Sequence, residues 1–259
     1  MPKAKPRRQE ADDDASSAAS QTSFSQTQSN TQAERAMAGM EPAEQERRTN
    51  DLVQYLLIMD QRKVPIKKLD INKQVLKEHS KAFPIIMRSA SDKLSKVSVG
   101  LKVIEMQDNK QKSYILVNEI EQTSESQHLR WSDEEKSKMG LVMVILSLVF
   151  MNGNTMKDSL LWHTLKKMGV DHEHQHEVFG DVKKLVMTEF VRQGYLECIK
   201  QPNSDPPAFD FKWGQRSKQE TTKRKVLQFV CKVYEKEPQQ WTSQWQDLLQ
   251  SEGTPNGNA

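Results

Sequence analysis

Cysteine is scarce. Cys198 and Cys231 are the only two in 259 residues, and they are not spaced C-x-x-C. That excludes a disulfide scaffold and a cysteine-ligated zinc site, and it suits a reducing compartment. Long apolar runs are missing too. The longest, Met139 to Met151, is interrupted only by Gly140 and Ser147, and it falls short of the about 20 apolar residues of a bilayer span. The opening MPKAKPRRQE has no apolar region after its basic residues, so no signal peptide is expected. Catalytic signatures are absent: there is no G-x-S-x-G, no Walker A loop and no H-E-x-x-H. Both cysteines sit in apolar patterns and read as buried thiols. Glu134 and Glu135 sit at a helix start, where the macrodipole favours acids. The expectation is a non-enzymatic protein of the cytosol or nucleus, with no cofactor.

Net charge is only +3, aromatics are 7% and charged residues 28%. The mean hydropathy of −0.78 implies that part of the chain is not packed. Residues 1–48 are that part: they are rich in Ser, Gln, Thr, Ala and Asp, and Phe24 is their one aromatic. Such a segment cannot bury enough apolar surface to offset its ordering entropy, so disorder is predicted. Asp12, Asp13 and Asp14 read as a solvating run. Lys3, Lys5, Arg7 and Arg8 read as a weak nuclear signal or as a solvated basic end.

Structure is predicted from Asn50. Asn50 or Asp51 caps a helix carrying Leu52, Val53, Leu56, Leu57 and Met59. QRKVPIKK (61–68) is extended, because Pro65 disfavours helix before it. A second helix starts at Asp70 and a third runs from Pro84 to Val97. A hairpin follows, Leu101 to Met106 and Ser113 to Ile120, turning at QDNKQK. Residues 122–132 read as a linker. Ser132 and Glu135 form a capping box for the helix that enters the apolar run. Asn152-Gly153-Asn154 ends that run, since Gly and Asn accept the left-handed conformation. Further helices are predicted from Thr155 to Met168 and from Asp181 to Gln193. Strands Tyr195–Ile199 and Ala208–Trp213 come next, then helices 217–236 and 239–250, then a disordered tail from Ser251.

Residues 49–121 and 133–215 thus share one order: three helices, then a hairpin. That is the winged-helix plan. The predicted fold class is mainly α with small β-hairpins (α+β), two winged helices in tandem, with helices 216–250 packed on the second. Units of this size are small for independent stability. Met139–Asn154, apolar all round, is expected to be buried and to serve both cores.

GLVMVILSLVFMNGN, GDVKKLVMTEFVRQGYLE, AFDFKWGQRS and LVQYLLIMDQRKVPI resemble the MAGE homology domain, over about residues 50–250. Within that family KVPIKK and ETTKRKVLQFVCKVYEKEPQQW are most similar to the non-SMC-element-three branch. Its members are subunits of the structural-maintenance-of-chromosomes five-six complex. The chain departs from the family's V-F-G turn at Val97-Ser98-Val99-Gly100. The resemblance implies tandem winged helices and a nuclear, chromosome-associated adaptor in DNA repair. It implies a RING-finger ubiquitin ligase bound at the dileucine Leu56-Leu57, a kleisin subunit bound by the second unit, and duplex DNA as a third partner.

Candidate sites follow. Leu56 and Leu57 are either the RING contact or plain core. Phe229, Val230 and Val233, on the late helix, suit a kleisin segment docked helix-in-groove, or core. From Lys212 to Lys232 seven basic residues face one acid, Glu220, and from Arg62 to Lys81 seven face Asp70 and Glu78. Two such clusters on winged helices are the footprint of a phosphate-backbone binder; either alone reads as a solvated face. The DNA candidates are Lys183, Lys184, Lys212, Arg216, Lys223, Arg224 and Lys225. No base-reading set is visible, so binding is expected to be sequence-independent. His172, His174 and His176 form H-x-H-x-H, but no fourth ligand is placed, so no metal is expected. The alternatives are a MAGE adaptor of another RING ligase without a DNA role, and a free-standing winged-helix transcription factor.

Overall fold

Helix begins well before Asn50. The structure, a computed structural model, describes residues 31–98, 100–108, 111–118, 132–202 and 204–253. Residues 31–38 form helix α1, and Pro42–Asp60 forms the 19-residue α2. Residues 31–48 are therefore ordered, contrary to expectation. The reason is a sparse apolar stripe in a polar segment: Ala33 and Met40 are buried, and Ala36 and Met37 pack on the first core. The Gln45 amide donates to the carbonyls of Met37 (2.9 Å) and Met40 (2.8 Å), tying α1 to α2. Pro42 opens α2 at a first-turn position, where its missing N–H costs nothing. Asn50 and Asp51 are interior to α2, not caps. Of the tail predicted to be disordered from Ser251, residues 251–253 are helical instead; its remainder, residues 1–30 and the 122–131 part of the predicted linker concern segments outside the described residues.

After α2 come strand β1 (Ile66–Lys67) and α3 (Lys68–Ile71), which runs on through a π-helical turn (Asn72–Leu76) and a 3-10 turn (Lys77–Ala82). Then follow α4 (Phe83–Lys93), a second π-helical turn (Leu94–Ser98), and the hairpin of β2 (Leu101–Asp108) and β3 (Gln111–Asn118). β3 lies between β1 and β2, all antiparallel, with Tyr114 opposite both Ile66 and Glu105. The second unit repeats the order. It has α5 (Asp133–Met151), β4 (Met156–Lys157), α6 (Asp158–Lys167), a small ladder of β5 (Gln175–His176) with β6 (Gly180–Asp181), and α7 (Val182–Lys184) extended by a π-helical turn (Leu185–Phe190). β7 (Leu196–Lys200) and β8 (Phe209–Trp213) close it, in the order β4-β8-β7. This is a tandem winged-helix fold. The short strands β1 and β4 complete each wing. Two residues are too few to leave a periodic signal in the sequence.

The predicted helix 217–236 is two helices. α8 (Gln215–Glu220) stops at Thr221, and Thr222 caps α9 (Lys223–Tyr234) by accepting from the Lys225 amide at 3.2 Å. A 3-10 turn (Pro238–Gln240) leads to α10 (Thr242–Gly253). Among the described residues no helix is long and apolar enough to cross a membrane.

The apolar run lies in α5. The Ser132 hydroxyl accepts from the Glu135 amide at 3.2 Å, and the Glu135 carboxylate accepts from the Ser132 amide at 2.9 Å. Gly153 (φ 83°) and Asn154 (φ 68°) end the run. Leu141, Val142, Ile145, Leu146, Val149 and Phe150 are buried. The indole N–H of Trp213 donates to the Leu146 carbonyl at 2.9 Å. All of this core belongs to the second unit. The first unit has a separate core around Leu52, Leu56, Ile71, Ile86 and Leu116. The expectation that α5 serves both cores is therefore corrected: α5 is the centre of one.

Candidate protein and nucleic-acid interfaces

The two leucines of the dileucine part company on α2. Adjacent helical positions differ by about 100° around the axis. Leu56 therefore enters the first core and is fully buried, while Leu57 is 36% exposed. Leu56 is thus a core residue and not a contact surface. The next residue, Ile58, is 53% exposed, so the accessible apolar pair is Leu57 and Ile58. Sequence reasoning missed Ile58 because it reads as one more apolar position in a helix.

The α9 candidates divide in the same way. Val230 is buried with Val226, Leu227 and Cys231 on the face toward α5. Phe229 is half-buried, and Val233 is 60% exposed. Tyr234, which sequence reasoning passed over, is exposed and meets Trp241 edge-on at 5.6 Å. The Lys236 ammonium lies 5.2 Å from the Trp241 ring centre. Glu235 adopts φ 53° and ends the helix there, leaving the Val233–Tyr234 corner in water. This corner is an apolar and aromatic patch of the kind that receives a partner helix.

The basic candidates lie on four elements. Lys183 and Lys184 are exposed in the first turn of α7, whose N-cap Asp181 accepts from the Lys184 amide at 2.8 Å. α7 with its π-helical continuation follows α6 after the loop that carries the β5–β6 ladder, the position a recognition helix takes in a winged helix. Lys212, in β8, is half-buried. Lys225 is exposed at the start of α9. Arg224 lies 5.9 Å from the Trp245 ring. Lys223 is half-buried, pairs with Asp247 at 2.7 Å and lies 5.8 Å from the Phe150 ring, so it joins α9 to α10 and α5. Arg216, on α8, is completely buried and cannot reach a phosphate backbone, which corrects its place among the DNA candidates. The first unit's Lys73, Lys77 and Lys81 are exposed.

The three histidines do separate jobs. His172 stacks on Trp162 at 4.6 Å. His176 Nδ1 accepts from the amides of Val178 (3.1 Å) and Phe179 (3.3 Å) and shapes the β5–β6 turn. His174 lies 3.4 Å from Asp171. The donor atoms of Asp171, Glu173 and His174 do lie within 4.8 Å of one another. The Lys166 ammonium already sits there, at 3.0 Å from Asp171 and 2.9 Å from Glu173, so the carboxylates have a cation of their own. The Glu173 amide, then Lys166, hold the Asp171 carboxyl down at about 2. A depressed carboxyl adds stability above its ordinary pKa and loses it as pH falls through the depressed one. The Lys166–Asp171 pair should therefore persist at pH 4 and be released only toward pH 2. A carboxyl-carbon NMR titration of Asp171 should show a midpoint well below the ordinary 3.8, and a midpoint at 3.8 would refute the ion-pair geometry.

Both thiols are pushed up, Cys198 by burial and then Asp158, Cys231 by burial and then Glu237. Neither is poised as a thiolate nucleophile.

Comparison with known proteins adds the lineage. The MAGE homology domain model matches residues 52–224. Human melanoma-associated antigen D2 is 42% identical over 206 residues, 79% of this chain but 33% of that protein, so the chain spans about a third of that relative's length. The human non-structural maintenance of chromosomes element 3 homolog is 41% identical over 207 residues, 80% of this chain and 67% of that one. The mouse homolog is 40% identical over 202 residues, 78% and 71%. A chain of a solved Nse1-Nse3-Nse4 complex superposes with a TM-score of 0.76 at 44% identity, covering 81% of this chain and 99% of that one. Tandem winged helices, a model match over most of the described residues and these identities lead to one conclusion: the chain belongs to the MAGE homology domain family.

Proposed function

We propose that this chain is a non-catalytic adaptor subunit of a chromosome-maintenance complex, acting in the nucleus in DNA repair. It would hold a RING-type ubiquitin ligase on the first winged helix and a kleisin on the second, raise the ligase's activity, and place duplex DNA without reading its sequence. One observation carries the reading: nearly the whole of a chain in an Nse1-Nse3-Nse4 complex aligns with it at 44% identity. The exposed Leu57–Ile58 pair supports a protein contact on α2, and Phe229, Val233 and Tyr234 support another on α9. Lys183, Lys184 and Lys225, exposed and without an ion pair among the described residues, support phosphate contacts.

The competing reading is an adaptor of a different RING ligase without a DNA role, favoured by the 42% identity to melanoma-associated antigen D2. Affinity capture with nuclease, at two salt concentrations, separates the two. The adaptor proposed here should bring down a RING subunit and a kleisin together, both surviving nuclease. A RING ligase captured without any kleisin would favour the alternative.

A further inference from the structure

The largest fully buried side chain among the described residues is an arginine. A buried guanidinium is expensive unless its donors are answered. Arg216 Nε donates to the Gln193 carbonyl at 2.9 Å, and Nη1 pairs with Glu220 at 2.8 Å. Its amide donates to the Gly194 carbonyl at 3.0 Å, and its guanidinium carbon lies 5.6 Å from the Tyr195 ring centre. Nη2 is buried and has no hydrogen-bond partner among the described residues. An arginine kept here at such cost, in a helix of six residues, asks what α8 is for.

α8 lies where the two units meet. One side is stapled to the turn after α7: Ser217 Oγ donates to the Tyr195 carbonyl at 2.7 Å, and the Gly214 amide donates to the same carbonyl at 2.8 Å. The approach is so close that a Cβ on Gly214 would lie 2.1 Å from the Gly194 oxygen. The other side packs on β3 of the first unit. There the wing is apolar on both faces. Tyr114 and Leu116 enter the first core, while Met106, Ile115 and Val117 form a second buried cluster with Ile104. Met106 reaches across, its methyl carbon 3.8 Å from where a Cβ on Gly194 would stand. The end of α2 is near as well: burial, then the Glu220 charge, pushes the Tyr195 phenol up, and Asp60 acts in the same direction.

We infer that Arg216 is the positioning residue of this joint: by locking α8 between the Gln193–Tyr195 turn and the first unit's wing, it sets one relative arrangement of the two winged helices. The α2 surface and the α9 surface are thereby held at a fixed separation. That consequence for partners rests on the adaptor reading, whereas the joint itself does not.

The test uses the full chain without partners, so its outcome is independent of the adaptor reading. In Arg216→Met, backbone hydrogen exchange should speed up at least tenfold in both α8 and the β2–β3 hairpin, with α4 and α5 unchanged within about threefold. Arg216→Lys, which keeps the charge but not the fork, should fall between. If Arg216→Met does not fold, Met106→Ala loosens the joint from the opposite side and must give the same local pattern. Exchange that rises equally along the whole chain, or leaves β2–β3 at wild-type rates, overturns the inference.

Discussion

A chain carrying Leu57→Asp and Ile58→Asp is expected to melt as the wild type does and, on the adaptor reading, to lose binding of a RING-type ligase altogether. Leu57 is partly and Ile58 about half exposed near the end of α2, so new charge there can reach water and leaves no fully buried group unpaired. An interface centre is different, because a carboxylate pressed against an apolar partner must be desolvated without compensation. Leu56→Ala supplies the contrast. That residue lies fully in the first core, and emptying such a site costs about 2–5 kcal/mol. Loss of partner binding in Leu56→Ala should therefore track loss of folding, read by thermal melting and binding side by side. A Leu57/Ile58 double variant that binds the RING subunit at wild-type affinity would place the contact elsewhere.

The second large effect concerns DNA. Lys183→Glu with Lys184→Glu should weaken duplex binding by about tenfold or more at moderate salt and leave the melting curve unchanged. Each phosphate contact contributes about 0.9 to the slope of log affinity against log salt, so losing two should flatten it by about 1.8. Both side chains are exposed in the first turn of α7. The charges opening α9 are less clean to reverse. Glutamate at position 223 would face Asp247, its present partner at 2.7 Å, and would disturb the seat of α10. A loss of DNA binding there would be confounded by lost packing. Gel shifts at two salt concentrations, with a scrambled duplex beside the first, read both the slope and the absence of sequence preference. An unchanged slope in the double variant would remove α7 from the proposed DNA surface.

Much of the architecture was legible in the sequence. The Ser132–Glu135 capping box, the apolar run of α5 and its Gly153–Asn154 stop are local chemistry, and each stands where its residues put it. The repeated order of helices and hairpin was readable because amphipathic segments announce themselves one at a time. What failed needed tertiary knowledge. The start of α2 was misplaced because Asn50 looks like a cap, and only the packing of Thr49 and Leu52 shows it to be interior. Leu56 and Leu57 are indistinguishable as residue types, and their roles depend on which way α2 is turned. Arg216 looked like one more cation in a basic run, since nothing local announces that the Gln193 carbonyl and Glu220 will enclose it. The apolar second face of β3 shows in the sequence as four consecutive apolar residues, Tyr114 to Val117, yet a strand buried on both faces implies a neighbour that only the fold supplies.

The adaptor reading is tested most directly by reconstitution. The full chain, a RING subunit and a kleisin, each purified alone, should combine into one particle of equal stoichiometry by size-exclusion chromatography with light scattering. The RING subunit should then ubiquitinate faster in that particle than by itself. The RING subunit and the kleisin competing for the chain, so that only binary complexes form, would contradict the account.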